Sequence, residues 1–295
     1  MSTPTERPLR SHSPEASALS TTASSHRPYL GHPSQQHRAS RGSRLLDPRI
    51  TGAVAVRVLA QLRHDHRTLA MLVLLPCLVL TLLWWMFKDA GQTFDHLGPA
   101  LLALIPFIVM FLVTSVTTLR ERSSGTLERL LSMPTGKLDF LAGYAVAFGL
   151  MATIQSVLAV AVSVLLLDLD VAGPVWMLVV VAVGDAVLGT ALGLFVSAFA
   201  RTEFQAVQFM PALVVPQILL CGLFIDRDQM PTVLSAISDL LPLSYAVDAM
   251  TAVTTTTGSA LGGVDGGVWW DLGIVAGFTV ASLALGAATL RRRTA

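Results

Sequence analysis

Six stretches of almost continuous apolar residues dominate the chain and predict membrane-spanning helices. A helix that crosses a bilayer needs about 20 predominantly apolar residues, and each stretch is close to that length or longer. Only an Asp168-Leu169-Asp170 turn separates the third stretch from the fourth, so these two should form a helical hairpin. We therefore expect an all-α membrane protein with six transmembrane helices. The predicted spans are 69–87, 98–119, 140–167, 171–200, 204–225 and 269–290.

The segment before the first span, residues 49–67, has the pattern of an amphipathic helix. Apolar side chains recur every four residues and arginines take the other side, which is typical of a helix lying in the membrane interface. The apolar positions are Val54, Val58 and Leu62, and the basic ones are Arg57, Arg63 and Arg67.

Residues 1–48 have no apolar periodicity and are rich in Ser, Thr, Pro, Arg and His. Such a composition cannot bury enough apolar surface to offset chain entropy, so we expect a disordered cytoplasmic tail. It lacks the apolar core of a signal peptide. A transit peptide is an alternative, which the lack of a clear amphipathic helix in the tail disfavours.

The positions of the basic residues predict the orientation. With the N-terminus inside, every Lys and Arg falls in a cytoplasmic segment except Lys88 and Arg227, as the positive-inside rule requires. Charged residues make up 13% of the chain, whereas soluble domains carry about 25%. The expected location is the cell membrane, with several passes and with both termini in the cytoplasm.

A charged insert, Leu119–Pro134, lies between the second and third spans. Its arginines and glutamates are too costly to remain in hydrocarbon, so it must lie at a membrane surface. Leu127, Leu130 and Leu131 share one helix face within it, and exposed leucines on a loop favour a partner surface. The alternative is a solvated loop that only joins two spans.

The insert reads Arg-Glu-Arg-x-x-Gly-Thr-Leu-Glu-x-Leu-Leu-x-x-Pro, and this motif resembles the first cytoplasmic loop of ABC-2 type (type 2 ABC exporter) permeases. The resemblance includes the drug- and antibiotic-exporter branch and extends from about residue 50 to the end. It implies that the loop is a coupling helix that fits a groove on the ATP-binding subunit. The implied coupling residues are Glu121, Arg122, Gly125, Thr126, Leu127, Glu128, Leu130, Leu131 and Pro134.

A second segment, PALVVPQILLCGLFIDRDQMPTVLSAISDLLPLSYAVDAM at 211–250, resembles the fifth span of that family and the region after it. Pro211 and Pro216 predict a broken fifth span, because proline kinks a helix. The resemblance implies two re-entrant helices near the outer leaflet, with a break at 239–245. The alternative is an ordinary extracellular loop.

Asp185 is the one acidic residue well inside a predicted span, and an intramembrane carboxylate suggests a function. The alternative is a structural group beside Gly184 and Gly189. Gly189 and Gly193 form a small-x-x-x-small pair that permits close helix packing. The candidate translocation-path residues are Gln155, Asp185, Pro211, Pro216, Gln217, Gly222, Pro242 and Tyr245.

Neither a complete phosphate-binding loop nor a Rossmann, zinc or nucleophile-elbow motif occurs in the sequence. We therefore predict a non-catalytic permease without metal or catalytic residues, whose partner subunit binds ATP and Mg²⁺. The expected partners are an ABC ATP-binding subunit, a second permease subunit in a homodimer or heterodimer, and membrane lipids, but no nucleic acid.

The predicted function is ATP-driven export of an amphipathic drug, antibiotic or lipid-like substrate. Two alternatives remain open. One is a gradient-driven secondary transporter or channel that uses Asp185, and the other is a non-transporting membrane assembly factor.

Overall fold

The computed structural model describes residues 47–90, 93–123, 137–256 and 266–292. Within these ranges the regular elements are helices, and a short 3₁₀ turn at Arg227–Gln229 precedes the seventh. The helices are α1 Pro48–His64, α2 His66–Phe87, α3 Thr93–Ser123, α4 Lys137–Leu165, α5 Val175–Ser197, α6 Glu203–Leu220, α7 Thr232–Ser238, α8 Pro242–Thr255 and α9 Gly266–Arg292.

Six of the described helices, α2 to α6 and α9, are long and apolar enough to cross a membrane. The predicted all-α class with six candidate spans is therefore confirmed. The helices differ from the apolar stretches mainly at their ends. Helix α3 begins at Thr93 and ends at Ser123, beyond the apolar stretch on both sides, whereas α5 begins only after Pro174.

The fifth span is helical throughout, so the prediction that it is broken at its prolines is wrong. Helix α6 continues through Pro211 and Pro216. A proline removes one backbone hydrogen bond, and the bonds of the neighbouring turns can maintain the helix around it. The helix ends at Leu220 instead, where Gly222 adopts a φ of +93° that is strained for other residues.

Helices α3 and α5 form the centre of the fold. In their most apolar windows 72% and 61% of the residues are buried, against 17% in α2, α6 and α9. The predicted glycine pair lies at their contact. A Cβ at Gly189 would stand 2.5 Å from the carbonyl oxygen of Phe107, and one at Gly193 would stand 2.6 Å from that of Phe111. The two backbones therefore touch without intervening side chains.

The helix termini gather at two ends of the bundle. The basic end contains α1, the last turns of α3 and α5, and the first turns of α4 and α6. The acidic end contains the start of α3, the α4–α5 loop, the end of α6, and α7 with α8. The chain's five tryptophans lie at the acidic end, near the end of α2 and at the starts of α5 and α9. They are Trp84, Trp85, Trp176, Trp269 and Trp270.

Helix α1 packs its apolar face on α4. Val54, Val58 and Leu62 are buried in a cluster that includes Tyr144. Gly143 of α4 allows the close approach, because a Cβ there would lie 2.6 Å from Cβ of Val54. The apolar stripe read from the sequence thus faces protein. The placement of α1 in a membrane interface stays a prediction.

Helices α7 and α8 are bent by 90° relative to each other, with the break between Ser238 and Pro242. This break falls within the predicted interval 239–245. The bend agrees with a broken span or a re-entrant pair, and the re-entrant assignment stays a prediction.

Candidate functional site

The predicted coupling segment is described only at its flanks. Glu121 and Arg122 lie in the last turn of α3, and Asp139 lies in the first turn of α4. The other predicted coupling residues, Gly125 to Leu131 and Pro134, lie outside the described residues. The flanks show which helices the predicted coupling segment joins: α3 before it and α4 after it.

Helix α1 contacts both flanks. Arg57 lies 3.7 Å from a carboxylate oxygen of Glu121 on the α3 side. On the α4 side, Asp139 accepts hydrogen bonds from the backbone N–H of Asp47 at 2.6 Å and from the hydroxyl of Thr51 at 3.4 Å. Asp139 is buried, so its bonds to α1 are protected from water. One helix thus bridges the two ends of the coupling segment.

The end of α3 is also joined to α5 and α6. The guanidinium of Arg120 donates to both carboxylate oxygens of Glu203 on α6, at 3.0 and 3.1 Å. The guanidinium of Arg122 donates to the backbone carbonyl of Ser197, where a cation is favoured by the C-terminal end of α5. We call these contacts, together with those of Arg57 and Asp139, the flank ties.

A second charged group occupies the acidic end. Arg227 donates from its two terminal nitrogens to the carboxylates of Asp239 and Asp248, and its guanidinium lies 5.2 Å from the ring centroid of Tyr245. The hydroxyl of Tyr245 donates to the backbone carbonyl of Asp239 at 2.8 Å. We call this group the Arg227 clasp. Burial works against the charge on Arg227, but the carboxylates of Asp248 and Asp239 raise its pKa.

The clasp lines a cleft of about 710 Å³ that opens at the acidic end. His96 of α3 and Thr251 of α8 contribute to its lining, as does Gly222, which follows the end of α6. The wall also carries Asp226 and Asp228. The arrangement is a polar cleft lined in part by the α7–α8 pair.

Helix α6 is joined to the α7–α8 pair by polar side chains. Ser238 donates its hydroxyl proton to the carbonyl of Leu220 at 2.7 Å. The side-chain oxygen of Gln217, a buried residue, accepts from the backbone N–H of Leu243 at 3.4 Å. Pro242 is buried at the first position of α8. These contacts join α6 to the α7–α8 pair.

Residues 51–254 match the model of the ABC-2 type transporter family. The chain belongs to the ABC-2 type transporter family. The matched region contains α2 to α6, both flanks of the coupling segment and the whole Arg227 clasp.

Individual relatives are similar over about half of this chain. The probable multidrug ABC transporter permease YbhR of Escherichia coli (strain K12) is 30% identical over 152 residues, covering 51% of this chain and 41% of the relative. YbhS of the same strain, with the same description, is 26% identical over 168 residues, covering 57% and 44%. The linearmycin resistance permease protein LnrN of Bacillus subtilis (strain 168) is 23% identical over 167 residues, covering 56% and 43%. The matched part thus spans less than half the length of these curated relatives.

In this ABC-2 family chain the predicted path residues lie in separate places. Gly222 lines the cleft, and Tyr245 contacts Arg227 and Asp239, which line it as well. Gln217 and Pro242 lie where α6 meets the start of α8. Pro211 and Pro216 lie on the exposed face of α6. Gln155 and Asp185 are buried between α3, α4 and α5, away from the cleft lining. The structure does not bring these candidates into one site, and their transport roles stay predictions.

Asp185 has an unusual environment in the ABC-2 chain. It is 1% exposed, and neither carboxylate oxygen has a hydrogen-bond partner among the described residues. Gln155 lies on the adjacent helix, with its side-chain nitrogen 3.5 Å from the carbonyl of Pro106. A buried polar group without a partner is costly, so Asp185 is a conspicuous feature of the core.

The Arg227 clasp was not predicted, although one signal pointed to it. Arg227 is a solitary arginine in a segment rich in aspartates, and such a residue needs counter-charges once it is partly buried. The tie at Asp139 had no comparable signal, because it depends on α1 folding back onto α4. Within the described ranges, the His, Cys, Asp and Glu side chains form no group of three that could hold a metal ion.

Proposed function

We propose that this chain is the permease subunit of an ATP-driven ABC exporter, which moves an amphipathic drug, antibiotic or lipid-like substrate out across the cell membrane. Family membership supports the permease role. The names of the relatives, two probable multidrug permeases and a linearmycin resistance permease, support the substrate class. In this proposal the chain itself is non-catalytic, and a separate ABC subunit binds and hydrolyses ATP with Mg²⁺.

The observation that carries the proposal is the contact of α1 with both flanks of the coupling segment. Arg57 meets Glu121 before the segment, and Asp139 meets Asp47 and Thr51 after it. If the ATPase docks on the segment between them, its closure moves both flanks and α1 together. The basic end is then the cytoplasmic end, with both termini on that side.

The movement would reach the outer side through the spans. Arg120 and Arg122 pass the displacement of α3 to α6 and α5. Helix α6 passes it to the α7–α8 pair through Gln217 and Ser238. Release of cargo then corresponds to opening of the cleft at the Arg227 clasp.

A second permease subunit would complete the transporter. Leu78 and Leu82 lie one turn apart on α2, beyond the residues that line the groove between α1, α2 and α4, and each is about 60% exposed. Exposed leucines on a spanning helix need either lipid or another transmembrane helix. A pair of permeases, as homodimer or heterodimer, would cover part of this surface and enclose the path between the subunits.

Asp185 keeps a second candidate function open. A buried carboxylate without a partner in the described ranges suits a gradient-driven secondary transporter, in which the residue takes up a proton or cation. That mechanism needs no ATPase. Transport that is driven by an ion gradient, occurs without ATP and is lost in Asp185→Asn would favour it.

The deciding experiment is affinity purification of the full chain from its native membrane, with and without the double substitution Leu130→Asp and Leu131→Asp. We expect a stoichiometric partner with an ATP-binding motif, which the double variant loses while membrane insertion stays normal. The loss would follow from the acidic side chains disrupting the leucine face.

A matched control places the same substitutions elsewhere. Leu166→Asp and Leu240→Asp alter exposed leucines at the acidic end, which are 68% and 74% exposed, and they should leave the partner bound. Normal transport in the Leu130/Leu131 variant would contradict the coupling role. Isolation without any ATPase, together with gradient-driven transport, would favour the second candidate.

A further inference from the structure

An apolar groove lies at the basic end, between α1, α2 and α4. It has a volume of about 510 Å³. Leu59 of α1, Val73 and Leu74 of α2, and Met151 and Ile154 of α4 form its walls. The groove is separate from the cleft at the acidic end, because the two share no lining residue.

The mouth of the groove is basic. Its two charged or titratable lining residues are Arg63 at the end of α1 and His66 at the start of α2, and both are exposed. Neither forms an ion pair with another residue in the described part of the chain. Asp65 stands between them, but its carboxylate accepts from the backbone N–H and the hydroxyl of Thr68, at 3.2 and 2.6 Å. These bonds lower the pKa of Asp65 and direct the carboxylate to the first turn of α2.

The groove runs from this basic corner into the depth of a spanning helix. Leu74 lies eight residues beyond His66 on α2, which is about 12 Å along the helix axis. Helix α2 is a candidate membrane span, so the apolar part of the groove faces hydrocarbon. An occupant must therefore be apolar along its length and anionic at one end.

We propose that the groove binds an anionic phospholipid, with an acyl chain along Val73, Leu74 and Ile154 and the phosphate at Arg63 and His66. The argument is charge complementarity, since basic side chains at a membrane surface attract anionic headgroups. A second copy of this chain would have to supply an acidic group there. The bound lipid fills space beside α1, the helix that joins both flanks of the coupling segment.

The test uses the full chain in vesicles of phosphatidylcholine containing a minor fraction of phosphatidylglycerol. A trace of phosphatidylglycerol carries a photoactivatable group on its acyl chain, and labelled peptides are mapped by mass spectrometry. We expect labels on residues 69–74 and 151–154. The variant Arg63→Gln with His66→Gln should lose at least about five-fold of this labelling, because an arginine charge near the surface contributes about that factor by itself.

Two controls separate this site from general lipid contact. Arg49→Gln removes an arginine from the same helix but away from the groove, and its labelling should equal that of the unaltered chain. Ile154→Trp keeps both basic residues and fills the groove, so labelling should fall although the charge is unchanged. Ile154 is 48% exposed, so the larger side chain should not prevent folding.

Several outcomes would overturn the proposal. Equal labelling by phosphatidylglycerol and phosphatidylcholine probes, unaffected by the double variant, would mean ordinary boundary lipid. A cross-link between two copies through residues 69–74 would mean that a second chain covers the groove. Undiminished labelling in Ile154→Trp would place the lipid elsewhere.

Discussion

The two ends of the bundle use charge in different ways. At the basic end the flank ties join residues far apart in the chain: Arg120 and Glu203 are separated by 83 positions, and Asp47 and Asp139 by 92. At the acidic end Arg227 bonds to residues only 12 and 21 positions away. The flank ties therefore link different helices, whereas the Arg227 clasp closes one connecting segment on itself. In the proposed transport cycle, the flank ties would pass movement from one helix to another, and the clasp would open the cleft locally.

Burial strengthens this contrast. The side chains of Arg120 and Glu203 are 62% and 47% exposed, so their ion pair is weak by itself. Arg227 is only 16% exposed and has two carboxylates and an aromatic ring around it. The flank ties thus combine several contacts between helices, while the clasp depends on Arg227.

The largest expected effect comes from forcing apart α3 and α5, the two central helices that connect both ends of the bundle. Gly189→Val places a side chain against the backbone carbonyl of Phe107, where a Cβ alone would stand 2.5 Å away. Because backbone cannot move aside as a side chain can, we expect a loss above about 3 kcal/mol, beyond ordinary overpacking. The measurement is the yield and thermal unfolding of the purified protein in detergent.

The control for this change is Gly149→Ala, since a Cβ at Gly149 has no atom within 4 Å. It should leave the unfolding temperature nearly unchanged. A stable Gly189→Val protein would mean that α3 and α5 can separate, and the two ends would then lack a rigid connection.

An intermediate effect is expected at the clasp. Arg227→Gln removes the cation that Asp239 and Asp248 share, and we expect a loss of about 2 kcal/mol, typical of hydrogen bonds to charged groups. Since the clasp is local, hydrogen exchange should accelerate in residues 232–255 and remain unchanged at the basic end. Native-state exchange read by mass spectrometry measures both.

Lys88→Gln is the matched control, because Lys88 is an exposed basic residue at the same end with no ion pair in the described ranges. Faster exchange in α1 or α4 of the Arg227→Gln protein would contradict the local character of the clasp.

A smaller effect should come from the flank tie at Asp139. Asp139→Ala leaves the N–H of Asp47 without its acceptor, and we expect a loss of about 1 kcal/mol. Exchange should nevertheless rise in two distant segments, the first turns of α1 and of α4. Arg120→Gln, which removes an exposed pair, serves as the comparison and should change stability less. Faster exchange confined to α4 would mean that α1 is not linked to the coupling segment through Asp139.

The sequence predicted the spans well because each depends on a local property. An apolar stretch of sufficient length crosses the membrane whatever its neighbours are, and the contact at Gly189 and Gly193 follows from their spacing on one helix. Helix ends were less predictable. The fifth span ends at Leu220 because Gly222 turns the chain, although the apolar residues continue to Ile225.

The candidate site was predictable only in part. The clasp unites Arg227, Asp239 and Asp248 through a 90° bend between two short helices, and no periodicity encodes that angle. The proline pair illustrates the opposite error. Pro211 and Pro216 have a strong local preference against helix, yet α6 retains its helical form through both. The coupling role of Leu130 and Leu131 stays a prediction.

The position of the tryptophans gives the molecule an optical asymmetry. All five lie at the acidic end, so its tryptophan emission reports on that end alone. A ligand or partner that binds at the basic end has no tryptophan of this chain beside it. Any change in the emission of this chain's own tryptophans on such binding therefore reflects a change at the acidic end, which makes the unaltered protein its own probe of communication between the two ends.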